Sequence, residues 1–241
     1  MEKVQVIFME QTFKNPSLSY EMNELLKYAS RTFVSNKGSY LLREGQDAEE
    51  IYIILSGKVQ ISKMNAEGQE LVLRLASHND IVGELTLFTQ GPKYIFNAMV
   101  NENANIAAVH IKELEAALIN NSKLAYEFLS WMNDHMRKTM TKFKDLVLNG
   151  KKGALYSTLI RFSNSYGVEQ EDGIHISVPL TTQELANFCG TAREIVSRLL
   201  SELKRKKIIS IKSKKIIIHD INFLKRENNC DNCPIEYCNI D

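Results

Sequence analysis

Between Thr32 and about His110 glycines cut the chain into short β-forming runs, and from Ile111 to Leu148 the apolar residues switch to steps of three and four. This change of period limits the fold most, because strands repeat every two residues and helices every 3.6. Ile51–Leu55 stops at Ser56-Gly57, Val59–Ile61 alternates and ends at Asn65–Gly68, and Leu71–Leu75 and Ile81-Val82 follow. Short strands divided by glycine turns predict an antiparallel sandwich or barrel. A short helix is expected over Lys112–Ile119 and a longer one over Ser122–Leu148, with Phe128, Trp131, Met132, Met136, Met140, Phe143 and Val147 on one stripe. At 1.5 Å per residue the longer helix spans about 40 Å, more than a small domain needs, which predicts a seam with a second copy. Asn149-Gly150 supplies a cap and a hinge. At the other end, Asn15–Ser17 breaks the chain, and Ser19 is suited to cap a short helix carrying Leu25, Leu26 and Tyr28.

A second domain is expected after the hinge. Gly153–Tyr166 reads as an amphipathic helix and Gly173–Pro179 as a short strand. In the run Thr181–Leu200, Thr181 and Glu184 form a capping box, and Leu185 and Ala186 supply an inner face. Gly190 marks a turn, after which Val196, Leu199, Leu200 and Leu203 point inward. Arg193, Glu194, Ser197 and Arg198 then share the other side of the second helix, the helix-turn-helix arrangement whose polar face meets a major groove. Net charge over the whole chain is only +1, but Arg193–Lys215 holds nine Lys or Arg against two Glu, a segment net of +7. A basic patch on a balanced chain is an electrostatic footprint for phosphates. Ile208–Ile211 and Ile216–Ile218, joined at Ser213-Lys214, read as the hairpin of a winged helix.

The chain has four cysteines, and Cys230, Cys233 and Cys238 fall within nine residues. A cluster this tight is too short to staple a fold but suits one soft metal centre. Zinc prefers four ligands in two separated pairs, so an iron–sulfur cluster with a non-cysteine fourth ligand fits the spacing better. Asp231, Glu236, Asp241 and His219 are candidates for that position. Cys189, at the end of the first helix of the pair, reads as a small buried residue. Met1–Glu10 has an early acid and no sustained apolar core, so a signal peptide is not expected, and no apolar run approaches the ~18 residues of a membrane span. A reducing cytoplasm follows as the expected compartment. Neither a nucleophile–base pair, a Walker run nor an HExxH motif is found, which argues against an enzyme.

Glycines at 38, 45, 57 and 68, closed by Gly83-Glu84-Leu85, resemble the sensory jelly roll of the CRP/FNR transcription regulators. In members that bind cyclic nucleotides this turn is followed by an Arg-Ser-Ala-type run whose arginine neutralises the phosphate. Here the stretch reads Gly91–Ala98, without the Arg and Ser; Lys93 offers a point charge but not the planar fork, so no cyclic nucleotide is expected. Arg193-Glu194-x-Val196-Ser197-Arg198 matches the family's recognition helix. Cys-x2-Cys-x4-Cys at the C-terminus, with Lys144–Leu146 and Gly150–Ile160, is similar to the oxygen-sensing FNR branch of Gram-positive bacilli.

The resemblance implies an α+β chain: an N-terminal segment (1–30), a jelly-roll sensor-like domain (31–120), a dimerisation helix with hinge (121–149), a winged helix-turn-helix domain (150–226) and a cysteine tail (227–241). It also implies a [4Fe-4S] cluster on Cys230, Cys233 and Cys238, with Asp145 as fourth ligand. The expected partners are a second copy, palindromic double-stranded DNA and RNA polymerase, and no membrane. Members of the family that keep arginine at the Arg193 position read TGTGA-type half-sites, whereas those lacking it read TTGAT. The alternative is a regulator of the same fold carrying a structural zinc or a small-molecule effector in the jelly roll.

Overall fold

Gly57 shapes the first sheet. The two runs expected either side of it form one strand of 15 residues, β3 (Glu50–Met64), which bends there without losing its partners. Gly57 has φ +86, and a Cβ at this position would lie 2.4 Å from the Asn103 carbonyl oxygen, so only glycine lets the pairing continue through the bend. The described residues of this computed structural model are 24–230 and 233–240. Most of the N-terminal segment, with its cap at Ser19, therefore lies outside them, as do Asp231 and Asp241; Glu24–Tyr28, which carries Leu25, Leu26 and Tyr28, is a short 3-10 helix.

β1 (Ala29–Ser35), β2 (Tyr40–Leu42), β4 (Glu70–Ala76), β5 (Ile81–Val82) and β6 (Asn97–His110) complete an antiparallel sheet. Its order is β1-β6-β3-β4, with β2 on β6 and β5 on β3, so β4 is an edge strand. The helices α1 (Ile111–Asn120) and α2 (Ser122–Leu148) follow, and Leu114, Leu118, Leu124 and Phe128 close this first core. The expected stripe on α2 divides in two. Phe128, Trp131 and Met132 pack on the β-domain, because the start of α2 lies against it. Met136, Met140, Phe143 and Val147, joined by Leu129 and Tyr126, remain 49–69% exposed on another face.

After Asn149 alone, α3 (Gly150–Tyr166) begins, with Gly150 at φ +57 making the turn. α3 is not amphipathic: every residue from Gly153 to Ser163 is buried, because neighbouring elements surround it. β7 (Gly167–Gln170), β8 (Gly173–Ile176), β9 (Ile209–Lys212) and β10 (Lys215–Ile218) form a second antiparallel sheet, order β7-β8-β10-β9. α4 (Thr182–Phe188), α5 (Arg193–Arg205) and α6 (Ile221–Glu227) complete this half. The second core is not confined to residues after the hinge: Val72 and Leu75 from β4 belong to it, and the tail adds Ile240. No described helix is long and apolar enough to cross a membrane.

Candidate metal centre and nucleic-acid interface

Cys230, Cys233 and Cys238 line one cavity of about 60 Å³, and Asp145 from the last turns of α2 lines the same cavity. Ser157 and Ile160 of α3, Thr141 and Lys144 of α2, and Asn228 complete the wall. Among the described residues no three His, Cys, Asp or Glu side chains stand close enough to hold one metal ion together. Burial pushes the Cys230 thiol above its usual range, and the nearby Asp145 charge adds to this, while a bond from Asn228 opposes it. Burial also pushes Cys238 up to about 11, with Arg161 opposing the shift. At Cys230 and Cys238 burial thus favours the thiol over the thiolate, and a metal that binds these two must displace their protons.

The tail is fixed on both sides of Cys238. The Asn164 side-chain amide donates to the Cys238 carbonyl at 2.5 Å. The Ile240 amide donates to Ser165 Oγ at 3.0 Å, and the Ile240 carbonyl accepts from the Leu75 amide of β4 at 3.4 Å. Tyr237 lies against α2, its hydroxyl donating to Asp134 at 3.3 Å and accepting from Arg137 at 3.3 Å. Of the other candidate fourth ligands, His219 is engaged with the Asp172 carbonyl and Ser210, away from this cavity, and Glu236 is exposed. Spacing alone does not single out Arg161, which bonds to Asp145 and to the tail. Its signal in the sequence is a lone charge inside the apolar run Leu159-Ile160-Arg161-Phe162. Cys189 is buried away from the cluster, and burial pushes its thiol up to about 11.

The second site lies on α5. The capping box at Thr181 and Glu184 is complete, the hydroxyl accepting from the Glu184 amide at 3.1 Å and the carboxylate from the Thr181 amide at 2.7 Å. Leu185, Ala186 and Phe188 of α4 share the second core with Val196, Leu200 and Leu203 of α5. Arg193, Glu194, Ser197 and Arg198 are left together on the exposed side. Ala192 provides no side-chain cap, so the first amides of α5 stay open at the end that would meet a phosphate backbone. Ser213 and Lys214, at φ 49 and 63, make the tight turn of the wing.

In the β-domain, Glu84 is paired with Arg74 at 3.2 Å, and Lys93 with Asp47 at 3.5 Å. The space between Gly83–Thr86 and Tyr94–Phe96 is about 30 Å³. Arg74, which no motif marks in the sequence, is the cation that faces this space.

Residues 34–121 match the family of cyclic nucleotide-binding domains, and residues 154–227 match the Crp-like helix-turn-helix domain. The anaerobic regulatory protein of Bacillus subtilis is 51% identical over 225 residues, 93% of this chain and 94% of that one. The global nitrogen regulator of a Nostoc species is 30% identical over 197 residues, 81% of this chain and 87% of that one. Among solved structures, the c-di-GMP responsive global regulator CLP of Xanthomonas campestris has a TM-score of 0.73 at 20% identity, covering 83% of this chain and 98% of that one.

Proposed function

Because the chain belongs to the CRP/FNR family of DNA-binding transcription regulators, whose members are dimers and not enzymes, we propose that it is an oxygen-responsive switch on DNA in which Cys230, Cys233, Cys238 and Asp145 hold a [4Fe-4S] cluster. The convergence of three thiols and one carboxylate on a single cavity carries this reading. Soft thiolates suit iron–sulfur centres. Likeness to an anaerobic regulatory protein supports a redox role. When bound, the cluster supplies an oxygen-labile tie among its four ligands.

This chain's residues do the rest. Asp145 belongs to the helix that carries the free apolar face, and the thiols belong to the tail beyond the DNA-binding half, so the ligand set spans the hinge at Asn149-Gly150. A carboxylate is a hard donor on a soft centre, which makes Asp145 the weakest of the four links. In this reading residues 31–120 are the sensor-like domain, 121–149 the dimer helix, 150–226 the DNA reader and 227–241 the metal-holding tail. Leu129, Met136, Met140, Phe143 and Val147 meet their copies in the dimer, with half-sites about 34 Å apart on the DNA. Arg193 and Arg198 each pair with a guanine edge of a TGTGA-like half-site, Glu194 accepts from a cytosine amine and Ser197 lies beside them. RNA polymerase is the further partner and the cytoplasm the compartment. Cyclic nucleotide plays no part, because the phosphate clamp is absent.

Protein purified without oxygen should be brown, contain iron and sulfide, and bind the palindrome tightly. Brief air exposure should weaken binding at least tenfold, or about 1.4 kcal/mol. A colourless, zinc-containing protein whose DNA affinity is the same in air would refute the proposal.

A further inference from the structure

Arg161 is 2% exposed and is among the largest fully buried side chains. A guanidinium so placed is costly unless its donors are matched. Here they are matched on three separate segments. Nε donates to Ser157 Oγ at 3.2 Å within α3. Nη2 donates to Thr141 Oγ1 at 3.2 Å and to Asp145 Oδ2 at 3.1 Å on α2. Nη1 donates to the carbonyls of Tyr237 at 3.0 Å and Asn239 at 3.4 Å, the residues on either side of Cys238. Ser157 Oγ, oriented by the same arginine, donates to Asp145 Oδ2 at 2.5 Å. Both contacts to the carboxylate fall on Oδ2, and neither claims Oδ1.

We propose that Arg161 is a positioning residue for the metal centre: its fork holds the Asp145 carboxylate and the Tyr237–Asn239 backbone in their ligand arrangement before any metal arrives. This inference rests on the ligand reading above and adds a residue to it. The fork is what matters, because a single point charge cannot serve acceptors on α2, α3 and the tail at once, whereas five fixed donors can. An arginine that merely filled the core of the DNA-binding half would have no reason to place two donors on the chain flanking a cysteine ligand and a third on the carboxylate ligand.

The test compares full-length wild type with Arg161→Lys, which keeps the charge and removes the fork, and with Asn164→Ala, which removes a different anchor of the same tail. In metal-free protein, hydrogen exchange is read at the Cys238 and Ile240 amides and at core amides such as Leu159 and Leu200. Arg161→Lys should speed exchange of the tail amides at least tenfold and leave the core amides within twofold of wild type. After anaerobic reconstitution, the same variant should lose iron in air at least fivefold faster, as read by absorption. Asn164→Ala should loosen the tail without displacing Asp145, and so shorten the lifetime less. Unchanged tail exchange in Arg161→Lys, or tail and core exchange rising together, would overturn the positioning role. If wild type itself takes up no iron and sulfide, the cluster reading falls, and the exchange measurements still decide whether Arg161 holds the tail.

Discussion

Replacing Asp145 by Ala removes more than a metal ligand. The carboxylate is the ion-pair partner of Arg161, at 3.1 Å, with side chains 15% and 2% exposed. Deleting one member of a buried pair strands the other charge, at about 3–5 kcal/mol. Arg161 keeps acceptors on Ser157, Thr141, Tyr237 and Asn239, so the cost should fall near the low end, about 3 kcal/mol. Asp145→Asn keeps an acceptor oxygen in the same place and loses only the charge, which should cost about 1–2 kcal/mol. Urea unfolding of metal-free protein separates the two: with a slope of about 2 kcal/mol/M, Asp145→Ala should lower the midpoint by roughly 1.5 M and Asp145→Asn by about half as much. Iron content and air lifetime should fall in both variants, because neither retains a carboxylate. Equal urea midpoints for all three proteins would refute the Arg161–Asp145 coupling. Wild-type iron lifetime in both variants would refute the fourth-ligand assignment and move the search to Glu236.

Cys230→Ser, Cys233→Ser and Cys238→Ser should each abolish the anaerobic absorption of the cluster, whereas Cys189→Ser should keep it; loss of colour in Cys189→Ser would remove the tail from its role as sole thiol donor. Arg193→Ala should cost roughly 1–3 kcal/mol and relax choice at one base pair in a binding-site selection; uniform weakening across all sequences would make it a phosphate contact. Calorimetry with cyclic AMP should give no micromolar affinity, and a measurable enthalpy at that level would overturn the reading of the β-domain. Burial, helped by the Arg161 charge and opposed by Cys189, lowers the Lys142 ammonium to about 7; its donors are held by the Val72 and Leu73 carbonyls at 2.7 and 3.1 Å. The unfolded chain keeps that proton to about pH 10.4, so the folded state binds fewer protons between 7 and 10 and its stability should rise with pH across that window. Lys142→Met should flatten this rise in urea midpoints taken at pH 7 and 9, and an unchanged slope would refute it.

Local features were legible in the sequence because their causes are local. The capping box at Thr181, the turn at Gly190 and the exposed quartet of α5 each follow from spacing within one or two helical turns. Features set by distant partners were not. Gly57 reads as a stop, yet β6 continues alongside β3 through the bend. The strand β6 itself is masked by Asn97, Asn101, Asn103 and Asn105, which are poor strand formers although they share one face opposite Ala98, Val100, Ala104 and Ile106. α3 has enough polar residues to suggest one wet face, but Ser157 and Arg161 find acceptors on other segments, Thr158 and Ser163 donate to the Ala154 and Ile160 carbonyls of α3 itself, and all four are buried. The thiols were visible as a cluster. Asp145 came from resemblance alone, since only the fold brings α2 to the tail.

The edge position of β4 explains how a short tail can influence both halves. An edge strand leaves a row of backbone groups unpaired. Here Lys142 of α2 covers the Val72 and Leu73 carbonyls, and the Ile240 carbonyl takes the Leu75 amide. The DNA-binding half adds Asn187, which donates to Glu70 at 2.7 Å, and Gly190, where a Cβ would lie 3.1 Å from Leu71. A single strand of the β-domain thus receives the long helix, the helix-turn-helix and the last residues of the tail. Ile240 is 3% exposed in the same core as Val72 and Leu75, so the tail cannot leave without opening apolar surface on β4 and freeing its Leu75 amide. Under the proposed switch, loss of the ligands' hold on Cys238 would act two residues away, at the contact that seals this edge. The position of α4 and α5 would then be read from β4 itself, without the space between Gly83–Thr86 and Tyr94–Phe96 taking part.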